Sequence, residues 1–325
     1  MANQYCVGVD LGGTNIKAGL LDADAKVLSK LSLPTEIEAG RERVIQNIIG
    51  SAERAIAEAG VKREQVVGIG IGSPGPLSHR QGLIINPGNL TCLQNLPLRD
   101  IVTQKTGIKS TVENDANAAA WGEFWAGAGK DVQDLVMFTL GTGVGGGIIV
   151  DGKMLRGYFE NGAELGHIIV RHGGRACSCG QLGCVEAYSS AHNLARYAED
   201  LIAAGRPSSL KSLVDKGQML MAEHIVDAAK AGDALAAHVW DEACSCLAAT
   251  IVIMQHVTNP QRVVLAGGMI AAGDFLLEPI RNHFKKLTWH LLDDFPDIQF
   301  ATLGNDAGLI GAAGCAWEAH RLNDW

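Results

Sequence analysis

The spacing of apolar and polar residues in the first sixty positions predicts three strands followed by a helix. Apolar residues dominate Tyr5 to Val9, and strand-like stretches recur at Lys17 to Leu21 and at Lys26 to Leu33. Short apolar runs joined by tight turns are typical of an antiparallel meander. From Arg41 to Gly60 the apolar residues recur at helical spacing, and the segment ends at a glycine, as helices often do.

Strands and helices alternate through the middle of the chain. Asn114 and Asp115 lie between a predicted strand and an alanine-rich helix, Ala116 to Gly127. Functional groups of α/β sheets commonly gather where a strand ends and a helix begins. The predicted strands of this segment are Val66 to Ile71, Ser110 to Glu113, Leu135 to Leu140 and Ile148 to Val150, with loops at Gly72 to Pro76 and Asn86 to Asn89.

Helices dominate the following segment, Ser190 to Val257, with breaks near Gly205 to Ser212 and at Gly232. Strands at Arg262 to Leu265 and Ile298 to Leu303 and a closing helix, Ala307 to Ala319, complete the pattern. The meander-like starts near residues 5 and 135 resemble each other in organisation, without a line-by-line repeat. We therefore expect two related α/β halves.

Length and charge narrow the classes of function. The chain has 325 residues, enough for two domains, and carries 27 Lys and Arg against 35 Asp and Glu, for a net charge of -8. No basic stripe is present, so nucleic acid is not an expected partner. No leader is evident and no segment approaches the roughly 20 apolar residues of a membrane span. We expect a soluble, cytoplasmic protein without a membrane partner.

Two glycine-rich turns point to phosphate chemistry. The first, Asp10 to Lys17, lacks the spacing of a P-loop, but its backbone N–H groups can approach phosphates and Asp10 can hold Mg²⁺. An ordinary tight turn explains it equally well in isolation. The second turn, Gly141 to Gly147, changes this, because two such turns could hold a triphosphate for phosphoryl transfer.

Asp115 is the candidate general base. A carboxylate beside a helix N-terminus can accept the proton of a substrate hydroxyl as that oxygen attacks a phosphate. The alternative is helix capping, for which Asp and Asn are both well suited. Position alone does not separate the two roles.

A third cluster has the composition of a metal site. Cys177, Cys179 and Cys184 form C-x-C-x4-C, and His167 precedes them. Three thiolates and one imidazole complete a tetrahedral Zn²⁺ site with no open position, which is the structural type. Incidental burial is the alternative, but the intervening residues are small and polar rather than apolar. The other cysteines lie in apolar surroundings, as expected of core residues in a reducing cytoplasm: Cys6, Cys92, Cys244, Cys246 and Cys315.

The ordered set of motifs resembles the ROK family of sugar kinases and sugar-responsive repressors. It consists of Asp10-x-Gly-Gly-Thr14, Asn114-Asp115, Leu140-Gly-Thr-Gly-Val-Gly-Gly-Gly147, Glu164-x-Gly-His167 and Cys177-x-Cys-Gly-x-x-Gly-Cys184-x-Glu186. The resemblance runs from residue 5 to beyond 315. It implies an α/β, actin-like (ribonuclease H-like) fold in which two lobes close on a sugar. The implied boundaries are a small lobe, 1–119, joined by a C-terminal helix, 307–325, and a larger lobe, 120–306, with the zinc site.

The resemblance also implies residue roles. Asp115 resembles the catalytic base, and His167 would bind both zinc and sugar. The implied sugar ligands are Asn114, Asp115, Glu164, His167 and Glu186, with Gly75 and Asn89 as weaker members. The implied sites for ATP and Mg²⁺ are Asp10, Gly12, Gly13, Thr14, Asn15, Lys17, Gly141, Thr142, Gly143 and Gly145, with Gly267 and Gly268 on the adenosine side. A hexose substrate and a homodimer or homotetramer are implied as well.

Within the family we expect an ATP-dependent glucokinase. Repressors carry a DNA-binding segment ahead of the first strand, where this sequence has four residues. Ser73 to Leu90 resembles the glucokinase form G-x-P-G-P…N-P-x-N-L. N-acetylglucosamine and N-acetylmannosamine kinases share the catalytic motifs and remain alternatives. Two alternatives belong to other classes of protein. Asp115 and both glycine-rich turns argue against a non-catalytic sugar-binding regulator. The zinc and sugar residues argue against a filament-forming ATPase.

Overall fold

A computed structural model describes residues 4–290 and 294–325. Internal contacts divide the chain into two compact units. Unit 1 contains the chain up to Gln133 together with Gly147–Ala163 and Thr302–Trp325, and unit 2 contains Asp134–Gly146 and Glu164–Ala301. Each unit is therefore assembled from segments that are separated in the sequence.

The strands of the described residues are β1 (Tyr5–Leu11), β2 (Asn15–Asp22), β3 (Val27–Pro34), β4 (Val66–Ser73), β5 (Leu77–Ser78), β6 (Leu83–Ile84), β7 (Ser110–Asn114), β8 (Leu135–Leu140), β9 (Val144–Val150), β10 (Lys153–Met154), β11 (Arg262–Ala266) and β12 (Asp297–Phe300). The α-helices are α1 (Arg41–Glu58), α2 (Leu98–Thr106), α3 (Asp115–Ala126), α4 (Glu186–Ser189), α5 (Ala191–Ala203), α6 (Lys211–Val214), α7 (Ala222–Lys230), α8 (Ala234–Val257), α9 (Asp274–Leu287) and α10 (Ala307–Leu322). Short 3₁₀ helices include Leu165–His167 and Gly268–Ala272.

The first sheet has the strand order β3-β2-β1-β4-β7. The three N-terminal strands form the predicted antiparallel meander, whereas β1, β4 and β7 are parallel. Parallel strands end at the same edge of a sheet, and the register pairs Asp10 with Gly72 and Ser73 with Asn114. This edge therefore carries the polar residues that the sequence singled out in the first half of the chain.

The two faces of the first sheet are covered differently. Alternate residues of β1 point to opposite faces, so that Val7 and Val9 join a core with α1 while Cys6 joins a second cluster with α10. On the α10 side, glycines replace the side chains. A Cβ atom on Gly8 would lie 2.0 Å from the carbonyl oxygen of Leu309, and one on Gly70 would lie 1.7 Å from that of Ala312. The backbone of α10 thus lies directly against β1 and β4.

Helix α3 approaches α10 in the same manner. A Cβ atom on Gly311 would lie 1.6 Å from the carbonyl oxygen of Ala118, and one on Gly122 would lie 2.3 Å from that of Ala307. The adjoining C-terminal part of α3 is fixed by the fully buried Glu123, whose carboxylate accepts hydrogen bonds from the N–H groups of Ala128 and Thr302. Because α3 begins at Asp115, this packing sets the position of the candidate base.

The second sheet has the order β10-β9-β8-β11-β12, with β8, β11 and β12 parallel. Helix α8, in unit 2, is long and apolar enough to cross a membrane by length and composition. This finding corrects the expectation that no segment approaches a membrane span. Most of α8 is buried within the protein, where it packs against α4, α5, α7 and α9.

Most predicted elements are confirmed, and four boundaries are corrected. Asp10 belongs to β1 and Lys17 to β2, so the first glycine-rich turn contains only residues 12–14. Val144–Gly147 belongs to β9, so the second glycine-rich turn contains only Gly141–Gly143. Strand β4 continues to Ser73, into the predicted loop, and β12 ends at Phe300 rather than at Leu303. Glycines in extended conformation cannot be told from turn glycines by residue type alone. The cysteines expected in the core are buried, except for the half-buried Cys92, and all eight are free.

The division into units differs from the boundaries expected from the sequence. Residues 120–133 and 147–163 belong to unit 1, and the C-terminal segment of unit 1 begins at Thr302 rather than at residue 307. The closing helix α10 packs on β1, β4 and α3 of unit 1. The chain passes from one unit to the other within β9, where no change in composition marks a boundary.

The close contact between α10 and α3 gives a direct stability prediction. Gly311→Ala should lower the free energy of unfolding by about 3 kcal/mol, because the methyl group cannot fit against the backbone of Ala118. The matched control is Gly50→Ala within α1, where a Cβ atom meets nothing within 4 Å. That control should raise stability by up to about 1 kcal/mol. Equal effects in chemical denaturation would contradict the close packing.

Candidate active site

Two carboxylates stand together in unit 1. Asp10 lies near the end of β1, and Asp115 is the first residue of α3. Burial raises the pKa of Asp10, and the charge of Asp115 raises it further, whereas Lys17, whose Nζ lies 3.7 Å from Asp10 Oδ2, lowers it. The pair therefore concentrates negative charge that a cation or a protonated ligand would stabilise.

Helix capping and the candidate base role fall to different residues. Asn114 is the N-cap of α3, and its Oδ1 accepts hydrogen bonds from the N–H groups of Ala116 and Asn117. Asp115 accepts a short-range bond from the N–H of Ala116, at 2.8 Å, and its side chain is accessible to solvent. Crowding by protein atoms nevertheless reduces its hydration and raises its pKa above the ordinary aspartate value. An accessible carboxylate with a raised pKa is suited to accepting a proton.

The first glycine-rich turn is held from both sides. Gly12 N–H donates to the carbonyl oxygen of Asn15, and the Gly12 carbonyl accepts a 2.7 Å bond from Thr35 Oγ1. Gly13 and Thr14 are exposed, and no atom lies within 4 Å of the Cβ position of Gly13. The Thr14 carbonyl accepts a 2.9 Å bond from Thr35 N–H, so the open part of the tip lies at Gly13, where a phosphate could approach the backbone.

The second glycine-rich turn, in unit 2, is tied to Glu186. Glu186 Oε2 accepts a hydrogen bond from Val144 N at 3.0 Å, and a Cβ atom on Gly143 would lie 2.6 Å from that same oxygen. Gly141 is held by the N–H of Ala191, at the start of α5. Only glycine at position 143 permits this contact. Gly145 lies beyond the turn, in β9.

A cavity of about 370 Å³ opens beside the second turn. Gly268 lies on it, and the neighbouring Gly267 has a φ of 91° and passes so close to Leu140 that only glycine fits. Sequence reasoning missed most of its wall, since the polar residues of α7 look like an ordinary exposed helix face. The lining is Gly141, Thr142, Ala191, Met221, Ala222, Glu223, Val226, Asp227, Lys230, Trp240, Gly268, Met269, Ala271 and Ala272.

The four predicted metal ligands come together in unit 2. The ligand atoms of His167, Cys177, Cys179 and Cys184 all lie within 4.8 Å of one another. With Zn–S bonds of about 2.3 Å, a tetrahedral zinc site places its sulfurs about 3.8 Å apart. Cys179 Sγ lies 3.7 Å from Cys184 Sγ, and Cys177 Sγ lies 3.6 Å from His167 Nδ1. The donor set and its spacing therefore fit zinc, and the use of Nδ1 leaves Nε2 of His167 for a second partner.

The predicted sugar-binding carboxylates flank the metal ligands. Glu164 precedes the 3₁₀ helix that carries His167 and accepts the His167 N–H through its carbonyl oxygen. Glu186 follows Cys184 by two residues, and its Oε1 accepts from Ser178 Oγ at 3.1 Å. Glu186 thus touches both the cysteine loop and the second glycine-rich turn.

The remaining predicted sugar residues lie in unit 1. A Cβ atom on Gly75 would lie 3.2 Å from Asn114 Nδ2. Gly75 therefore borders the amide nitrogen of Asn114, whereas the helix cap uses the amide oxygen. The Gly75-Pro76 peptide bond is cis. Asn89 is exposed in the turn that follows Pro87. The predicted substrate residues are therefore divided between the units, with Gly75, Asn89, Asn114 and Asp115 in unit 1 and Glu164, His167 and Glu186 in unit 2.

Comparisons with known proteins find relatives that cover nearly the whole chain. The sequence profile of the ROK family matches residues 6–319. A glucokinase of Halalkalibacterium halodurans is 36% identical over 312 residues, covering 96% of this chain and 94% of that protein. A solved ROK hexokinase from Thermus thermophilus has a TM-score of 0.83 and 34% identity, with 99% of this chain and 100% of that chain covered. A ROK family glucokinase from Streptomyces griseus in complex with glucose and AMPPNP has a TM-score of 0.76 and 34% identity, with 97% and 99% covered.

Proposed function

Because this chain belongs to the ROK family, we propose that it transfers the γ-phosphate of ATP to the 6-hydroxyl of glucose, giving glucose 6-phosphate and ADP. The family and its actin-like α/β kinase fold are as the sequence predicted. One observation carries the choice of reaction. The Streptomyces griseus relative, alike in fold over nearly the whole chain, was solved with glucose and an ATP analogue.

Asp115 is the proposed general base. Its carboxylate accepts the proton of the 6-hydroxyl while that oxygen forms a bond to the γ-phosphorus. The bond between the γ-phosphorus and the β,γ-bridging oxygen breaks, and ADP leaves with the electron pair. The geometry supports this role because capping is left to Asn114 and the Asp115 side chain is accessible.

The nucleotide is assigned to the glycine turns and the cavity of unit 2. The turn Gly141–Gly143 would receive phosphate oxygens, and the cavity beside Gly268 has room for the adenosine. Asp10 fits a Mg²⁺ ligand, because its half-buried carboxylate stands beside a second carboxylate and a cation would relieve their repulsion. When bound, Mg²⁺ neutralises charge on the phosphates.

Zinc is proposed as a structural ion held by His167, Cys177, Cys179 and Cys184. With four protein ligands, the ion has no open position for substrate. It would fix the cysteine loop from which Ser178 orients Glu186, and it would fix the ring of His167. The sugar hydroxyls are assigned to Glu164, His167 and Glu186 and to Asn114 and Asp115, with weaker contacts to Gly75 and Asn89.

The substrate proposal is tested by a coupled ADP-release assay with a panel of hexoses. Glucose should give the highest kcat/KM, ahead of mannose, N-acetylglucosamine and N-acetylmannosamine. An N-acetylated hexosamine with a clearly higher kcat/KM would overturn the choice of substrate while keeping the kinase activity. ADP release that no sugar stimulates would overturn the kinase proposal.

Asp115→Asn should lower kcat by about 10²- to 10⁴-fold while glucose still binds, because the amide keeps the size of the side chain but cannot accept the proton. The wild-type profile of kcat/KM should fall on the acidic side with an apparent pKa above the ordinary aspartate value of about 3.9. The sign follows from the role of the base: activity requires the ionised form of Asp115, which its reduced hydration makes harder to reach. Unchanged turnover in Asp115→Asn would exclude Asp115 as the base.

Cys179→Ser should release zinc and weaken glucose binding, while binding of an ATP analogue stays close to wild type. Metal analysis gives the zinc content, and calorimetry gives both affinities. The matched control is Cys92→Ser, a half-buried cysteine outside the cluster, which should retain zinc. Full zinc occupancy in Cys179→Ser, or loss of nucleotide binding alone, would contradict the assignment.

A further inference from the structure

In addition to the cavity of unit 2, a cavity of about 510 Å³ lies in unit 1. None of the proposed catalytic residues lines it. Its volume lies within the range of small-molecule sites, roughly 300 to 1,000 Å³. The wall is formed by the β5-β6 hairpin, the start of α2, β7, the segment after β10 and the end of the chain. The lining residues are His79, Arg80, Arg99, Thr111, Met154, Arg156, Gly157, Glu160, Asp324 and Trp325.

One lining group lacks a hydrogen-bond partner. Thr111, on β7, is only 4% exposed, and its Oγ1 is buried without a partner among the described residues. A buried hydroxyl without a hydrogen bond costs about 1 to 3 kcal/mol of stability. A ligand oxygen that approached Thr111 would supply the missing hydrogen bond.

The wall supplies several guanidinium donors. Arg80, Arg99 and Arg156 line the cavity together with the carboxylates of Glu160 and Asp324. Each arginine already has an acidic partner at its Nε, which lies 3.2 Å from Glu160, 3.1 Å from Asp100 and 2.7 Å from Glu113 respectively. Because a guanidinium has five N–H donors, an ion pair at Nε leaves the Nη groups for a ligand anion. His79 Nδ1 contacts the carbonyl oxygen of Val112 at 2.9 Å, so that if Nδ1 carries the proton, Nε2 is an acceptor for a sugar hydroxyl.

Guanidinium groups and a hydroxyl around a polar cavity are typical of phosphate recognition. We propose that this cavity is a second ligand site that binds a phosphate-bearing small molecule, either a sugar phosphate or free phosphate. Thr111 Oγ1 and the side chains of Arg99 and Arg156 contact the phosphate oxygens. The cavity exceeds what phosphate alone fills, which leaves room for a sugar beside Trp325.

The site is connected to the candidate base through β7. Arg156 Nε donates a 2.7 Å hydrogen bond to Oε2 of Glu113, which is fully buried. Glu113 Oε1 accepts from Asn114 N at 3.1 Å and from Asn117 Nδ2 at 3.1 Å. A ligand that binds Arg156 therefore changes the hydrogen bond between Arg156 and Glu113. Glu113 in turn contacts Asn114, the N-cap of α3 beside Asp115. Binding in the cavity changes the affinity for the sugar.

Calorimetric titration with inorganic phosphate and with glucose 6-phosphate tests the site. Thr111→Val and Arg99→Gln should each weaken binding roughly tenfold, because each removes a hydrogen bond to a charged group. Thr111→Val should also leave thermal stability unchanged or raised, since it removes an unsatisfied buried hydroxyl. Tighter binding of the sugar phosphate than of phosphate identifies the organic ligand, and equal binding identifies phosphate itself.

The control is Arg54→Gln, an exposed arginine of α1 outside the cavity, which should bind like wild type. Absence of binding by the wild-type protein, or equal affinity in wild type, Thr111→Val and Arg99→Gln, would overturn the proposal. The latter result would place any binding at the phosphate loops instead.

Steady-state kinetics test the connection to the active site. In wild type, saturating ligand should change KM for glucose about fivefold or more, and Thr111→Val should need about tenfold more ligand to reach half of this change. An equal dependence on ligand concentration in both proteins would show ordinary product inhibition, and no change in wild type would overturn the regulatory role. This kinetic measurement rests on the proposed glucose phosphorylation, whereas the titrations do not, so the two proposals fail separately.

Discussion

The contact of α10 with β1, β4 and α3 is the constraint on which unit 1 depends. Glycines at positions 8, 70 and 311 allow backbone to meet backbone, and the added Cβ distances of 2.0, 1.7 and 1.6 Å leave no room for any side chain. The same contact fixes the ends of β1 and the start of α3, which carry Asp10 and Asp115. A Cβ atom on Gly308 would lie 3.1 Å from Asp10 Cγ, so α10 also borders the carboxylate pair directly. Close packing and the chemistry of the carboxylates are thus set by one helix.

In unit 2, Glu186 connects separate features of the candidate site, as α10 does in unit 1. Its carboxylate joins the N–H of Val144, at the end of the second glycine-rich turn, to the hydroxyl of Ser178 between two metal ligands. A residue that the family resemblance suggested as a sugar ligand is therefore also the bridge between the cysteine loop and the second glycine-rich turn. Loss of the metal would loosen the hydrogen bond from Ser178 to this carboxylate, while the N–H of Val144 would still hold its other oxygen. The affinities for the ion and for the sugar are therefore expected to be linked.

Much of the fold follows from local patterns in the sequence. The meander, α1 and the strand that ends at Asn114 follow from apolar spacing and turn residues, and the metal ligands follow from cysteine spacing. What local patterns could not predict depends on distant partners. The extension of β9 through Val144–Gly147 requires a neighbouring strand, and the α7 wall of the unit 2 cavity requires the 3₁₀ helix Gly268–Ala272. Thr111 and Arg156 gave no signal, because only tertiary contacts bring them to one cavity.

The composition of unit 1 from three separated segments has a consequence for synthesis on the ribosome. Its first sheet is complete once β7 has been made, but the helix that covers one face of β1 and β4 lies at 307–322, after all of unit 2. Until then the glycine-lined surface around Gly8 and Gly70 has no partner. The nascent chain must therefore keep this surface uncovered while more than half of its length is translated. During this period, before α10 emerges, the surface is open to chaperones and to aggregation.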